Sequence, residues 1–342
     1  MKFGIFDQND AGIYSLSEQY ENRLKLLEFY DEAGFRAYHM SEHHSTPLSR
    51  TPSPSVFLAA ASQRTRNLRL GALVYVLPTH HPLRLAEEIC MLDHLTNGRV
   101  DIGIGRGASP HELEHFGVDP AIAPAMYVEA YNVIKLAMTR EDVSFVGTHY
   151  NFADVPFPIK PRQLPHPPFF YAVPTPEGAV WPAQSAINIV AGGSIANVRA
   201  ISDRFRLEWG SAGGEPGEIP LVGINRFVVA ADTDRKALEL GRRAWPDFYK
   251  SFMSLWKKHG TTPRYVRLPE DFDTVVANRG AIVGSPRTIR EAVDTMMSEA
   301  GVSYFIAQFS FGDLAHEEVL QSARIFAEQV ISPREQPTAV AV

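Results

Sequence analysis

Residues 68–117 read LRLGALVYVLPTHHPLRLAEEICMLDHLTNGRVDIGIGRGASPHELEHFG, and this stretch decides the fold. Residues 68–77 form a nearly continuous apolar run ending at Pro78, the pattern of a strand buried on both faces. Residues 83–95 follow with helical spacing, because Leu85, Ile89, Leu92 and Leu95 fall on one stripe. Asn97 and Gly98 stop that helix, since both tolerate the left-handed conformation of a C-terminal cap. Residues 100–105 alternate as a second strand and break at Gly105-Arg106-Gly107. Strand, helix and strand in this order make one unit of a parallel sheet, and such sheets build their sites at the C-terminal ends of the strands. Thr79, His80, His81 and Arg106 all fall at that end.

The same grammar extends in both directions. Residues 2–6 are a short apolar strand, and Ser15 with Glu18 has capping-box spacing at the start of a helix over 16–33. Tyr20, Leu24, Leu27 and Tyr30 share one side of it, and Gly34 ends it. A second strand, 37–40, runs straight into Ser41-Glu42-His43-His44, and Ser53-Pro54 opens the next helix. The first third therefore reads β-α-β-α-β-α-β, which implies a parallel sheet with right-handed crossovers. Beyond Gly117 come a helix over 125–138, a hairpin within 143–152 placed outside the main sheet, and a proline-rich run over 155–168. The strand 169–173 leads into the loop Pro174-Thr175-Pro176-Glu177-Gly178, and the strand 187–190 ends at Gly192-Gly193. A helix over 195–209, a strand over 221–230 and a long helix over 234–258 follow. Residues 260–280 show no period and read as an insertion loop able to act as a lid. Residues 282–283, a helix over 286–297, a strand over 304–308 and a helix over 317–330 complete the pattern. Eight strand candidates alternating with helices favour a closed α/β barrel over an open sheet. The expectation is a single-domain (β/α)8 TIM-type barrel with insertions over residues 1–331 and a flexible tail over 332–342.

Composition sets the bounds. A chain of 342 residues with 45% apolar content suits one large barrel with its own core. The formal net charge is −6 with no basic cluster, which argues against a nucleic-acid groove. The lone Cys90 rules out a disulfide scaffold and a cysteine-based zinc site, and fits a reducing cytoplasm. The N-terminus opens as a strand rather than a signal peptide, and no run approaches the ~18 apolar residues of a membrane span. A soluble cytoplasmic protein is expected.

Glu42-His43-His44 is the most unusual polar cluster at a strand end. Histidine titrates near neutrality and passes protons at working pH, and an adjacent carboxylate can hold its tautomer. His80-His81 occupies the next strand end. Four histidines and a glutamate on one rim invite a metal reading, but neighbouring side chains on an extended segment point in opposite directions and there is no H-x-H. No metal is therefore expected. Arg106 between two glycines is suited to gripping a phosphate, the alternative being a structural ion pair. Thr175 and free backbone amides around Gly178 form a second candidate phosphate contact. Met91, Trp181, Phe309 and Phe311 read as core or pocket wall.

Three blocks of sequence resemble the bacterial luciferase-like family of flavin-dependent monooxygenases. They are E-H-H at residues 42–44, V-L-P-T-x-H-P-x-R at 76–84, and L-D-x-x-x-x-G-R followed by G-I-x-R-G over 92–107. His115-Phe116-Gly117 and the opening MKFGIF extend the match. The resemblance implies a TIM-type barrel that binds reduced FMN, supplied by a separate flavin reductase, at the C-terminal ends of the strands. Oxygen then adds to give a C4a-(hydro)peroxyflavin, which oxygenates a small organic substrate. It further implies that His43 is catalytic beside His44 and Glu42, and that Arg106, Pro174 and Thr175 hold the phosphate. The resemblance also implies that Leu73 and Val74 lie beneath the ring at a non-proline cis peptide bond, and that the assembly is a homodimer packed through helices of the first half.

The chain departs from the luciferases where Gly105 replaces a reactive cysteine, at Ser109 in place of an aromatic, and at Ala191-Gly192-Gly193. These changes reshape the pocket away from long-chain aldehydes. Two readings of the same fold compete: a deazaflavin-dependent hydride-transfer oxidoreductase, and a non-catalytic flavin-binding subunit. A metal-dependent barrel hydrolase is a further alternative, weakened by the missing H-x-H.

Overall fold

The computed structural model describes residues 1–263 and 267–332, so the expected tail over 332–342, save its first residue, and part of the expected lid lie outside the described residues. Strands are β1 (Lys2–Asp7), β2 (Ala37–Met40), β3 (Arg69–Val76), β4 (Val100–Gly105), β5 (Asp142–Val146), β6 (Asn151–Pro156), β7 (Phe169–Val173), β8 (Asn188–Ala191), β9 (Val222–Ala230), β10 (Ala281–Gly284) and β11 (Tyr304–Gln308). Helices are α1 (Leu16–Glu32), α2 (Pro54–Ser62), α3 (Pro82–Leu95), α4 (Pro110–His115), α5 (Ala123–Thr139), α6 (Val180–Gln184), α7 (Ile195–Ser211), α8 (Asp234–Phe252), α9 (Ser254–Lys258), α10 (Phe272–Ala277), α11 (Pro286–Ala300) and α12 (His316–Phe326).

Eight strands close a parallel ring in the order β1-β2-β3-β4-β7-β8-β9-β11, with β11 returning to β1. This is the expected (β/α)8 barrel. The segment at 282–283 is not one of its staves. It lies in β10, which pairs with the far end of β9 from Phe227 to Ala230, where that strand overhangs the ring. The expected hairpin is β5–β6, an antiparallel pair in a sheet of its own. The unpatterned stretch 260–280 holds the short helix α10, capped by Asp271 and anchored by buried Phe272. A six-residue helix is too brief for its apolar period to register in the sequence.

Local rules explain most boundaries. The capping box at Ser15 and Glu18 is complete, and Asn97 and Gly98 take φ of 57° and 81° after α3. Leu85, Ile89 and Leu92 bury against the barrel, whereas Leu95 and Met91 are about half exposed (49% and 55%). Phe309 and Phe311 are core residues, while Trp181 is partly exposed beside α5. Among the described residues no helix is long and apolar enough to cross a membrane.

The lumen is filled from below. Gly4 leaves room there, since a Cβ on it would sit 1.9 Å from the Tyr304 hydroxyl oxygen, and Gly71 and Gly103 let neighbouring strands approach closely. Into that space turns a buried ionic group, in which Asp101 accepts hydrogen bonds from Arg36 Nη1 (2.7 Å) and Arg69 Nε (2.8 Å). His39 Nε2 lies 2.9 Å from the Tyr304 hydroxyl, and burial pushes its pKa down to about 4. Leu73, Phe170, Val190 and Ile306 close the apolar layer above, with Phe6 and Val74 packed on it.

Candidate active site

The rim above that layer gathers the polar groups at the C-terminal ends of the strands. After β2 the chain stays extended, so successive side chains diverge. Glu42 turns inward and is buried (3% exposed). It accepts hydrogen bonds from His44 Nε2 (2.8 Å), His80 Nε2 (2.8 Å) and the Val76 N–H (3.0 Å). Burial alone would raise this carboxyl, but bonds and charge from His44 and His80 bring it down to about 2. Glu42 is thus an anion shared by two imidazoles.

His43 points the other way. The carboxylate that meets its Nδ1 belongs to Glu112 of α4, at 3.0 and 3.3 Å, and not to the adjacent Glu42. The acid of this cluster therefore holds His44 and not its immediate neighbour His43: adjacency along an extended chain separates side chains, and the partner of His43 comes from a distant helix. Glu112 also accepts the His44 N–H at 2.8 Å. Burial works against charge on His43, yet Glu112 and then Glu42 raise its pKa above the ordinary imidazole value. His80 is raised likewise, against burial, by the bond to Glu42 and its charge. His81, one residue on, faces outward against Phe152 of the hairpin, with ring centroids 5.7 Å apart.

A second group lies where β4 and β7 end. Arg106 is exposed between Gly105 and Gly107. Gly107 has φ +90°, a conformation that favours glycine, and a Cβ at Gly105 would approach Val74 Cγ2 to 2.3 Å. Near Arg106 is Tyr127 of α5, whose buried hydroxyl has no hydrogen-bond partner among the described residues. Burial raises this phenol, Tyr171 and Tyr131 add to the rise, and Arg106 opposes it, which puts the guanidinium within electrostatic reach. Pro174 and Thr175 are exposed on the next loop, which is tied to α7 by Asn197 Nδ2 donating to the Pro174 carbonyl (3.1 Å). The Gly178 amide is not free, because its N–H donates to the Thr175 carbonyl (3.1 Å) in a tight 3-10 turn.

Between the two groups, Leu73 and Val74 form part of the inner wall, and the peptide bond joining them is cis. Gln308 follows Tyr304 and Ile306 on the lumen-facing side of β11. Its buried Nε2 and the Oε1 of Gln8 have no hydrogen-bond partner among the described residues. A buried donor and a buried acceptor left open at the ends of neighbouring strands fit a polar ligand.

The structure thus brings Glu42, His43 and His44 onto one rim with Arg106, Pro174 and Thr175, and sets Leu73 and Val74 between them. Glu112, Tyr127, Gln8 and Gln308 were outside the sequence expectations. Glu112 follows Ser109 at capping-box spacing, which reads as a local helix cap. The other three carry no motif.

The sequence matches the model of luciferase-like monooxygenases over residues 1–304. The uncharacterized protein y4wF of Sinorhizobium fredii is 38% identical over 331 residues, covering 97% of this chain and 96% of that protein. The oxygenase component of the flavin-dependent trigonelline monooxygenase of Acinetobacter baylyi is 31% identical over 193 residues, covering 55% of this chain and 53% of its own. The crystal structure of monooxygenase RslO1 from Streptomyces bottropensis superposes with a TM-score of 0.88 at 28% identity, covering 98% of this chain and all of that one.

Proposed function

This chain belongs to the luciferase-like monooxygenase family, and from that premise we propose that it is the oxygenase component of a two-component system using reduced FMN and O2 on a small organic substrate. The observation that supports the reading is one rim with exposed Arg106 and Thr175 toward one end, carboxylate-bound histidines toward the other, and an apolar wall with open amide groups between them. Arg106, Tyr127 and the loop of Pro174 and Thr175 would hold the phosphate, and Leu73 and Val74 would hold the ring. Gln8 and Gln308 offer an acceptor and a donor to a heteroaromatic edge or to the substrate. Reduced flavin supplies the electrons that activate oxygen when it is bound. The chain's own part is to keep the site dry over the Leu73–Ile306 layer and to hold or move a proton at His43, with His44 and His80 tied to Glu42.

The trigonelline relative is named as the oxygenase component of a flavin system, which supports a separate reductase as partner. Assembly as a homodimer through first-half helices is favoured by Val56 on α2 and Met91 and Leu95 on α3, apolar side chains left exposed. A cytoplasmic location follows from a cofactor that a cellular reductase must deliver.

The test is anaerobic titration of the apo-protein with reduced FMN and, in parallel, a reduced deazaflavin, read by flavin fluorescence. Reduced FMN is expected to bind, and Arg106→Ala to weaken it about ten- to a hundred-fold, the worth of a charge-assisted bond. Binding of the deazaflavin in its place would replace the oxygenase reading with hydride transfer. Binding of neither would remove both.

A further inference from the structure

We propose that Glu112 is the positioning residue of this rim: its carboxylate fixes His43 in the tautomer with hydrogen on Nδ1 and ties down the backbone at His44, leaving Nε2 of His43 as the nitrogen that exchanges protons. The inference deepens the reading of His43 given above and rests on it for its functional meaning.

The chain contains its own control. Ser-x-x-Glu opens two helices, at Ser15–Glu18 and at Ser109–Glu112. At the first, both halves of the capping box form: the Glu18 N–H reaches Ser15 Oγ (3.4 Å), and the Glu18 carboxylate accepts the Ser15 N–H (3.1 Å). At the second, only one half forms. The Glu112 N–H reaches Ser109 Oγ (3.4 Å), but the carboxylate leaves the cap and receives His43 Nδ1 at 3.0 Å and the His44 N–H at 2.8 Å. The same four-residue pattern could satisfy that carboxylate locally, as it does at Ser15. Here it joins residues 68 and 69 positions away instead. A buried glutamate (7% exposed) spent on an imidazole and the next backbone amide is built to orient that imidazole.

The other side of α4 is pinned. His111 lies flat on His259, with centroids 4.0 Å apart and planes 9° from parallel, and Trp256 meets it edge-on at 5.5 Å. His111 Nε2 is 2.8 Å from Thr261 Oγ. α4 is therefore held between the rim and the segment after α9, so Glu112 meets His43 from a fixed base. A carboxylate accepts but cannot donate, so its Nδ1 contact requires a hydrogen on that nitrogen. The charges facing His43 are Glu112 and Glu42, and Glu42 is already engaged by His44 and His80. Glu112 is the direct partner, so removing its charge acts first on the proton affinity of His43.

The experiment is a pH titration of the histidine-labelled apo-protein by NMR, reading the midpoint and tautomer of His43 from its ring nitrogens. In the native protein the neutral ring is expected to carry its hydrogen on Nδ1, and the midpoint to lie above that of an ordinary imidazole. Glu112→Gln, which keeps a hydrogen-bond acceptor and removes the charge, should lower the proton affinity of His43 about tenfold or more. Glu112→Asp should retain part of the rise. A native neutral tautomer with hydrogen on Nε2 overturns the proposal without need of any variant. An unchanged midpoint in a folded Glu112→Gln protein overturns it as well. No flavin enters this measurement, so failure to bind reduced FMN would sink the oxygenase reading and leave the Glu112 result standing.

Discussion

The barrel buries histidines at both ends, and the two ends treat them oppositely. In the lower half, His39 sits with Arg36, Arg69 and Asp101, is wholly buried, and is held neutral, its pKa pushed down to about 4. At the rim, His43 and His80 are also largely buried, yet Glu112 and Glu42 move them toward the charged form. Burial disfavours charge in both places, so the neighbours decide the outcome. Below, two guanidiniums that stay charged at any working pH saturate the one carboxylate they share, and the group is locked. Above, carboxylates are paired with imidazoles, whose charge changes near neutrality. One network holds strands together, and the other can exchange protons.

The largest expected effect is at the lower end. Asp101→Asn leaves Arg36 and Arg69 without their counter-charge, and should cost about 3–5 kcal/mol in urea unfolding. A cost below about 1 kcal/mol would mean that charge is not what holds this end. The next is a pH effect. Because the folded His39 value lies below 6.5, its neutral form favours folding above that pH, and the benefit falls away as pH drops from 6.5 through about 4. Over that window the native protein should lose about 3 kcal/mol more than His39→Gln does. Parallel stability curves for the two proteins would refute neutral burial.

At the rim the stability effects are smaller. Glu42→Gln should cost about 1–3 kcal/mol at neutral pH, by leaving His44 and His80 without their anion. Glu42 has a lowered pKa, so its contribution is present above the ordinary carboxyl value of 4.5. The gap between native and Glu42→Gln proteins should therefore narrow as pH falls from 4.5 toward about 2 in thermal melts. A gap that widened in acid would show that the pair is not ionised as described. The smallest effect is Ser109→Ala, which removes one hydrogen bond at the start of α4 and should cost about 0.5–1 kcal/mol. It should also loosen the hold of Glu112 on His43, visible as broadening of the His43 resonances with the lower end undisturbed. Equal changes at both ends would erase the distinction between them.

Some of this was legible in residues 68–117 alone. The apolar run of β3, the stripe of α3 and the caps at Asn97 and Gly98 are local patterns, set by backbone sterics within a few residues. The same locality put Glu42, His43, His44 and Arg106 just past strand ends, and hence on one rim. Where a decision depended on what lies across space, sequence reading missed it. The segment at 282–283 has strand character, but whether it enters the ring depends on how far β9 overhangs. The Gly178 amide looked free at a helix start, and a turn to the Thr175 carbonyl uses it.

The sequence by itself determined the alternation of strands and helices, the closed barrel that alternation builds, and which residues stand at the C-terminal ends of its strands. These follow from side-chain period and turn chemistry, both of which act along the chain. Only the tertiary structure decided which acid meets which histidine. It gave Glu42 to His44 and His80, and brought Glu112 from α4 to His43. Electrostatic and hydrogen-bond partners are chosen by distance in space, and folding places residues 43 and 112 within 3.0 Å of each other.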